Sequence, residues 1–144
     1  MKSATPAMPV DLVVDASVVA KFYFFEDGSE QARTILTSGI VVAAPGLLFI
    51  EIASVAATKV RRGLSTREQA REAVVSLGEL VDEFAPLGGL ATRAFSIASD
   101  SGCSAYDATY LALAQERGVR VLTADTRLVD RARAAGMEGL VRSL

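Results

Sequence analysis

Four carboxylates stand alone in stretches that are otherwise almost free of charge: Asp15 in LVVDASVVAKF, Glu51 in APGLLFIEIASVAATK, Asp107 in SAYDATYLALA and Asp125 in VLTADTRL. Between Arg33 and Lys59 the sole charged residue is Glu51, and between Asp100 and Glu116 it is Asp107. A buried, unpaired carboxylate costs a large part of what keeps a domain folded, so acids placed this way need a compensating interaction. If the four converge in space, their repulsion must be relieved by protons or by bound cations, and hard divalent metals with oxygen ligands are the usual solution. The chain has no histidine, which removes the commonest general base, the Ser-His-Asp arrangement and every histidine metal site. Hydrolytic chemistry then requires another nucleophile, and water activated by a cation near neutral pH is one.

The 144 residues suit one domain with a real core, and the 51% hydrophobic content supports it. Lys+Arg 15 against Asp+Glu 17 gives no global basic character, so any nucleic-acid contact must be local. Basic residues cluster at Lys59, Arg61 and Arg62, at Arg67 and Arg71, and at Arg127, Arg131 and Arg133, where a phosphate backbone or plain solvation of helix faces are both served. The single cysteine, Cys103, excludes an intramolecular disulfide and cysteine-based zinc, and is consistent with a reducing cytoplasm. The longest uncharged run, residues 34–50, is broken by Ser38, Gly39 and Pro45-Gly46 and so is no membrane span. Residues 1–9 carry two prolines and polar Ser3 and Thr5, and are expected to form a flexible tail ahead of a single domain at 10–144.

The elements that must position the acids follow from pattern. An apolar strand over residues 10–15 leads into a helix beginning near Ser17, then a helix over 29–37 and a second strand over 40–44. Pro45 is expected to start a long apolar helix to about Arg62, and Ser65 with Glu68 to form a capping box opening a helix to about Glu83. A strand near 84–87, a helix over 90–99, an apolar helix over 105–117 capped by Gly118, a strand over 119–123, a helix over 126–135 and an edge strand at 137–141 complete the chain. This alternation implies an α/β three-layer sandwich with a mostly parallel central sheet.

Ligand sites in such sheets form beyond the carboxyl ends of the strands, which places Asp15 and Asp125 at one end of the molecule. Helical spacing puts Glu51 on a stripe with Leu47, Leu48, Ser54 and Val55, and Asp107 on one with Tyr110, Leu111 and Ala114, both expected to face inward. Each residue also has a structural explanation. Asp15, Ser17 and Asp125 stand where N-caps occur, Glu51 could pair with an arginine, and Asp107 suits an early-turn acid. No one of these explains why elements so poor in charge each keep one acid.

In this order and spacing, Val14-Asp15-Ala16-Ser17 with Lys21 and Glu26, Glu51 after Pro45, the run from Tyr106 to Ala114, and Leu122-Thr123-Ala124-Asp125 make the chain resemble the PIN-domain nucleases, particularly the VapC-type toxins of bacterial toxin–antitoxin pairs. The resemblance runs nearly end to end. It implies a PIN-like fold in which Asp15, Glu51, Asp107 and Asp125 hold Mg2+ or Mn2+, with Ser17 and Thr123 supporting them through hydroxyl hydrogen bonds. It implies hydrolysis of RNA phosphodiester bonds by water, leaving a 5′-phosphate and a 3′-hydroxyl, a cognate antitoxin partner and a homodimer. The chain departs from the family in two places. Ser54 stands where asparagine is common, and Thr126-Arg127 follows Asp125 where some members have another acid, which leaves one-metal and two-metal sites both open. Asp100 is a candidate auxiliary ligand on a helix that Gly102 interrupts. The competing readings are a receiver-type phosphotransfer domain, which the helical Glu51 and the Ala43-Ala44 strand end fit poorly, and a degenerate PIN fold kept only for binding, whose signature would be a missing acid.

Overall fold

Short strands buried on both faces form the middle of the molecule, described by a computed structural model over residues 9–144. Apart from Pro9, the expected tail lies outside the described residues. Strands β1 (Leu12–Val14), β2 (Val42–Pro45), β3 (Glu83–Ala85), β4 (Arg120–Thr123) and β5 (Val141–Ser143) are all parallel, in the spatial order β3-β2-β1-β4-β5. The register sets Leu12 beside Val42 and Arg120, and Val14 beside Leu122. Parallel strands need helical crossovers that cover both faces, which is why the central strands β1 and β2 are apolar and buried throughout.

The pleat divides each strand between two cores. Leu12, Val14, Val42, Ala44 and Leu122 face one layer, containing α1 (Ala16–Tyr23), α2 (Ser29–Leu36), α3 (Leu47–Arg61) and α4 (Arg67–Leu80). Val13, Ala43 and Val121 face the other, containing α5 (Ala91–Ser101), α6 (Ala105–Arg117) and α7 (Thr126–Ala134). The result is the expected three-layer α/β sandwich. Helix α6 is buried over seven successive residues, Ala108–Ala114, because it lies across β1, β2 and β4. Its end matches expectation: Gly118 at φ 67° takes the left-handed conformation that closes the helix.

Several boundaries differ from the sequence reading. Pro45 does not start α3; it ends β2, paired with Ala85, and the helix begins at Leu47. A terminal strand position tolerates proline because little of the ladder follows it. The capping box is one residue later than Ser65–Glu68: the Thr66 hydroxyl accepts from the Gln69 amide at 3.1 Å, and the Gln69 side chain accepts from the Thr66 amide at 3.3 Å. Helix α4 stops at Leu80 rather than Glu83, because Val81 turns into the core and the Asp82 carboxylate accepts from the Val42 amide at 2.9 Å. The edge strand expected at 137–141 lies at Val141–Ser143, preceded by a 3-10 turn at Glu138–Leu140.

Candidate active site at the carboxyl edge of the sheet

Asp15 follows the last residue of β1 and caps α1, so one side chain closes the strand and opens the helix. Its Oδ1 accepts from the Ser17 hydroxyl at 2.5 Å, the Ser17 amide at 3.1 Å and the Val18 amide at 3.3 Å, while its Oδ2 accepts from the Thr123 hydroxyl. The N-cap explanation is therefore correct for Asp15 without exhausting its bonds; Ser17 is not a cap but lies inside α1. The Ser17 hydroxyl also accepts from the Ala124 amide at 2.8 Å, and the Thr123 hydroxyl accepts from the Asp125 amide at 3.0 Å. These bonds lock the ends of the adjacent strands β1 and β4 together. Asp15 is 7% exposed, and burial, followed by the nearby Asp125 charge, pushes its carboxyl up to about 6 despite its hydrogen-bond donors.

Asp125 caps α7, its Oδ1 accepting from the Arg127 amide at 3.0 Å, with the Arg127 Nε 3.5 Å away. Asp107 sits in the first turn of α6, whose cap is Ser104; the Ser104 hydroxyl accepts from the Asp107 amide at 3.1 Å. Burial and the charge of Asp125 raise the Asp107 pKa, and Arg131, with an Nη 4.0 Å from the carboxylate, opposes them. Glu51 projects from α3 on the other face of the sheet, yet Tyr110 of α6 reaches it and donates its phenol to Oε1. Burial raises the Glu51 pKa, Tyr110 lowers it and the Asp107 charge raises it again. Burial and the adjacent Glu51 also drive the Tyr110 phenol far up, so it stays a donor.

The four acids predicted from sequence thus meet in one electrostatic network: Asp15 with Asp125, Asp125 with Asp107, and Asp107 with Glu51. They form a half-buried patch of carboxylate oxygens in which burial opposes the ionisation of Asp15, Glu51 and Asp107. That donor set is the kind a hard divalent cation takes. In the arrangement described, the oxygens of Asp15 and Glu51 are turned toward their hydroxyl donors. Among the described residues no three acids are arranged to hold one metal ion. The chemistry of the donors fits a cation.

Of the remaining predicted residues, Asp100 is exposed on α5 and borders a groove with Arg93, Gln115 and Met137, which contains none of the four acids. Ser54 is exposed rather than inward, so the α3 stripe carrying Glu51 runs through Leu48 and Val55 instead. Lys21 and Lys59 both reach Glu26, at 3.5 and 2.7 Å, tying the loop after α1 to α3. Sequence reasoning treated Tyr110 only as an inward neighbour of Asp107 and missed its bond to Glu51. The available signal was a phenol in an aliphatic stripe, since a buried tyrosine hydroxyl needs a partner.

A family model described as PIN domain matches residues 12–134. The chain is 33% identical over 125 residues to the Ribonuclease VapC3 of Pyrobaculum aerophilum, covering 83% of this chain and 93% of that protein. Among solved structures it resembles PAE2754 from Pyrobaculum aerophilum, with a TM-score of 0.69 and 20% identity over 94% of this chain and 85% of the other. It also resembles a toxin–antitoxin complex from Klebsiella pneumoniae, with a TM-score of 0.61 and 17% identity over 92% of this chain and 96% of that one. These two share its fold. With a family match across most of its length and a VapC relative aligned nearly end to end, the chain belongs to the PIN-domain family, among its VapC-type members.

Proposed function

We propose that this protein is a metal-dependent endoribonuclease, the toxin of a toxin–antitoxin pair, acting in the cytoplasm as a homodimer and held inactive by a cognate antitoxin. The carrying observation is the convergence of Asp15, Glu51, Asp107 and Asp125 at the carboxyl edge of the sheet, each of the first three with its ionisation opposed by burial. The names of the VapC3 relative and of the Klebsiella pneumoniae complex support the ribonuclease and antitoxin parts of this reading.

In this reading the four acids hold Mg2+ or Mn2+. Ser17 and Thr123 fix Asp15 by donating to its two oxygens, and Tyr110 fixes Glu51. A divalent cation bound there supplies Lewis acidity toward a phosphate oxygen and activates water. A carboxylate left free on one side accepts the proton of the attacking water, a role open to Asp107, whose pKa burial raises. Attack by water rather than by a ribose hydroxyl leaves a 5′-phosphate and a 3′-hydroxyl.

The receiver-type reading is disfavoured by topology: the order β3-β2-β1-β4-β5 differs from the 2-1-3-4-5 order of flavodoxin-like receivers. The binding-module reading lacks its signature, since all four acids are present. The test is cleavage of a panel of RNAs by antitoxin-free protein in Mg2+, Mn2+ or chelator, with Asp15→Asn and Asp107→Asn beside wild type. Metal-dependent cuts lost in both variants are expected. Metal binding by the folded wild type without cleavage of any RNA would favour the binding module, and no metal binding at all would sink the assignment of the four acids.

A further inference from the structure

Four carboxylates make a poor landing place for RNA, which brings one negative charge per nucleotide, and the chain's net charge of −2 offers no general attraction. Positive charge must stand at the site itself. Helix α7 supplies it: Arg127 and Arg131 are four residues apart and so share one helix face. That face borders the acids, with the Arg127 Nε 3.5 Å from Asp125 and an Arg131 Nη 4.0 Å from Asp107.

We propose that Arg127 and Arg131 form the phosphate-binding edge of the site, gripping the RNA backbone beside the carboxylates. The assignment rests on the ribonuclease reading given above. Among the described residues, both guanidinium groups keep most of their donors free. Their side chains are 84% and 51% exposed, and the 4.0 Å approach of Arg131 to Asp107 is too long for a hydrogen bond. Each arginine has five N–H donors in a planar fork that matches two phosphate oxygens. When a cation takes over the charge of Asp107 and Asp125, the arginines lose their counter-charges, and the phosphodiester replaces them. Arg133, on the same helix, is differently placed. Its charge is already answered by Glu138 at 3.2 Å and Asp130 at 3.8 Å. Arg61, Arg67 and Arg71 border a groove between α3 and α4 that none of the four acids lines.

The experiment compares wild type with Arg127→Ala, Arg131→Ala and the control Arg133→Ala. It measures binding of a labelled, cleavage-resistant phosphorothioate RNA across a salt series, steady-state cleavage of the normal RNA, and Mn2+ affinity by direct titration. Each of the first two variants is expected to weaken RNA binding about three- to tenfold and to lower the slope of log affinity against log salt by about 0.7. Each raises KM while kcat stays near that of wild type, and Arg133→Ala matches wild type. Mn2+ affinity is expected to hold or tighten, because a competing positive charge has been removed. Salt slopes and KM equal to those of wild type would overturn the assignment while leaving the ribonuclease intact. Weakened Mn2+ binding would overturn it in favour of a structural role for the arginines. A wild type that neither binds nor cleaves RNA would overturn the ribonuclease reading and this assignment together.

Discussion

Asp15 carries two jobs that pull in opposite directions. Its oxygens are fully engaged by Ser17, Val18 and Thr123, which favours the charged form, yet burial wins and holds the carboxyl at about 6. A folded-state pKa above the usual 3.8 means that the native protein binds this proton more tightly than the unfolded chain. The resulting contribution to stability is fully present below about pH 4 and is lost as pH rises through about 6, where the native state must carry a buried charge. Asp15→Asn removes that burden, and its amide can still meet the Ser17 and Thr123 hydroxyls. The variant is therefore expected to be more stable than wild type at pH 7.5, by up to about 3 kcal/mol, with the difference shrinking toward pH 4. Thermal unfolding of both proteins across that range measures it. A variant less stable than wild type at pH 7.5 would show that hydrogen bonding, not burial, governs this residue.

At the scale of elements, the site depends on contacts that cross the sheet's edge. Helix α6 lies on one face and α3 on the other, and the Tyr110–Glu51 bond spans them. Tyr110→Phe keeps the ring in the core and removes the donor. Metal affinity is expected to fall by about tenfold, in the range known for partners of ligand side chains, while unfolding stability changes by no more than about 1 kcal/mol. Calorimetric Mn2+ titration set beside a melting curve separates the two effects. Unchanged Mn2+ affinity would mean that Glu51 needs no support from Tyr110. The element boundaries carry their own lesson: the capping box at Thr66 and Gln69 and the strand end at Pro45 each differ slightly from the sequence reading, because neighbouring residues of similar type compete for the same local role.

For the whole molecule, bringing four acids to one edge stores repulsion that, in the proposed reading, a bound cation would relieve. A ligand that binds only the native state stabilises it in proportion to its concentration over its dissociation constant, by about 2.7 kcal/mol at a hundredfold excess. Saturating Mn2+ is thus expected to raise the melting temperature by several degrees, chelator to reverse the rise, and Asp107→Asn to blunt it. A melting temperature indifferent to metal in the wild type would remove the cation from the site. No helix among the described residues is long and apolar enough to cross a membrane. The sheet order also places β1 at the centre, with β2 on one side and β4 on the other, so Asp15 stands where the chain's direction of winding reverses. That crevice is where ligands bind in open α/β sheets.

The sequence by itself determined the class of fold and the four acids. Short apolar strands alternating with helices allow little besides a covered parallel sheet, and a lone carboxylate in an uncharged stretch stands out against its neighbours without any coordinates. Its family likeness was legible for the same reason, through Asp15-Ala16-Ser17, the Tyr106–Ala114 run and Thr123-Ala124-Asp125. What only the tertiary structure decided is which groups answer those charges. That Thr123 and Ser17 meet on Asp15, that Tyr110 crosses to Glu51, that Ser54 faces outward and that Arg131 rather than Arg133 stands beside Asp107 are matters of contact between distant segments. Periodicity specifies the face of a helix on which a residue lies, whereas the partner opposite that face is set by how the layers pack.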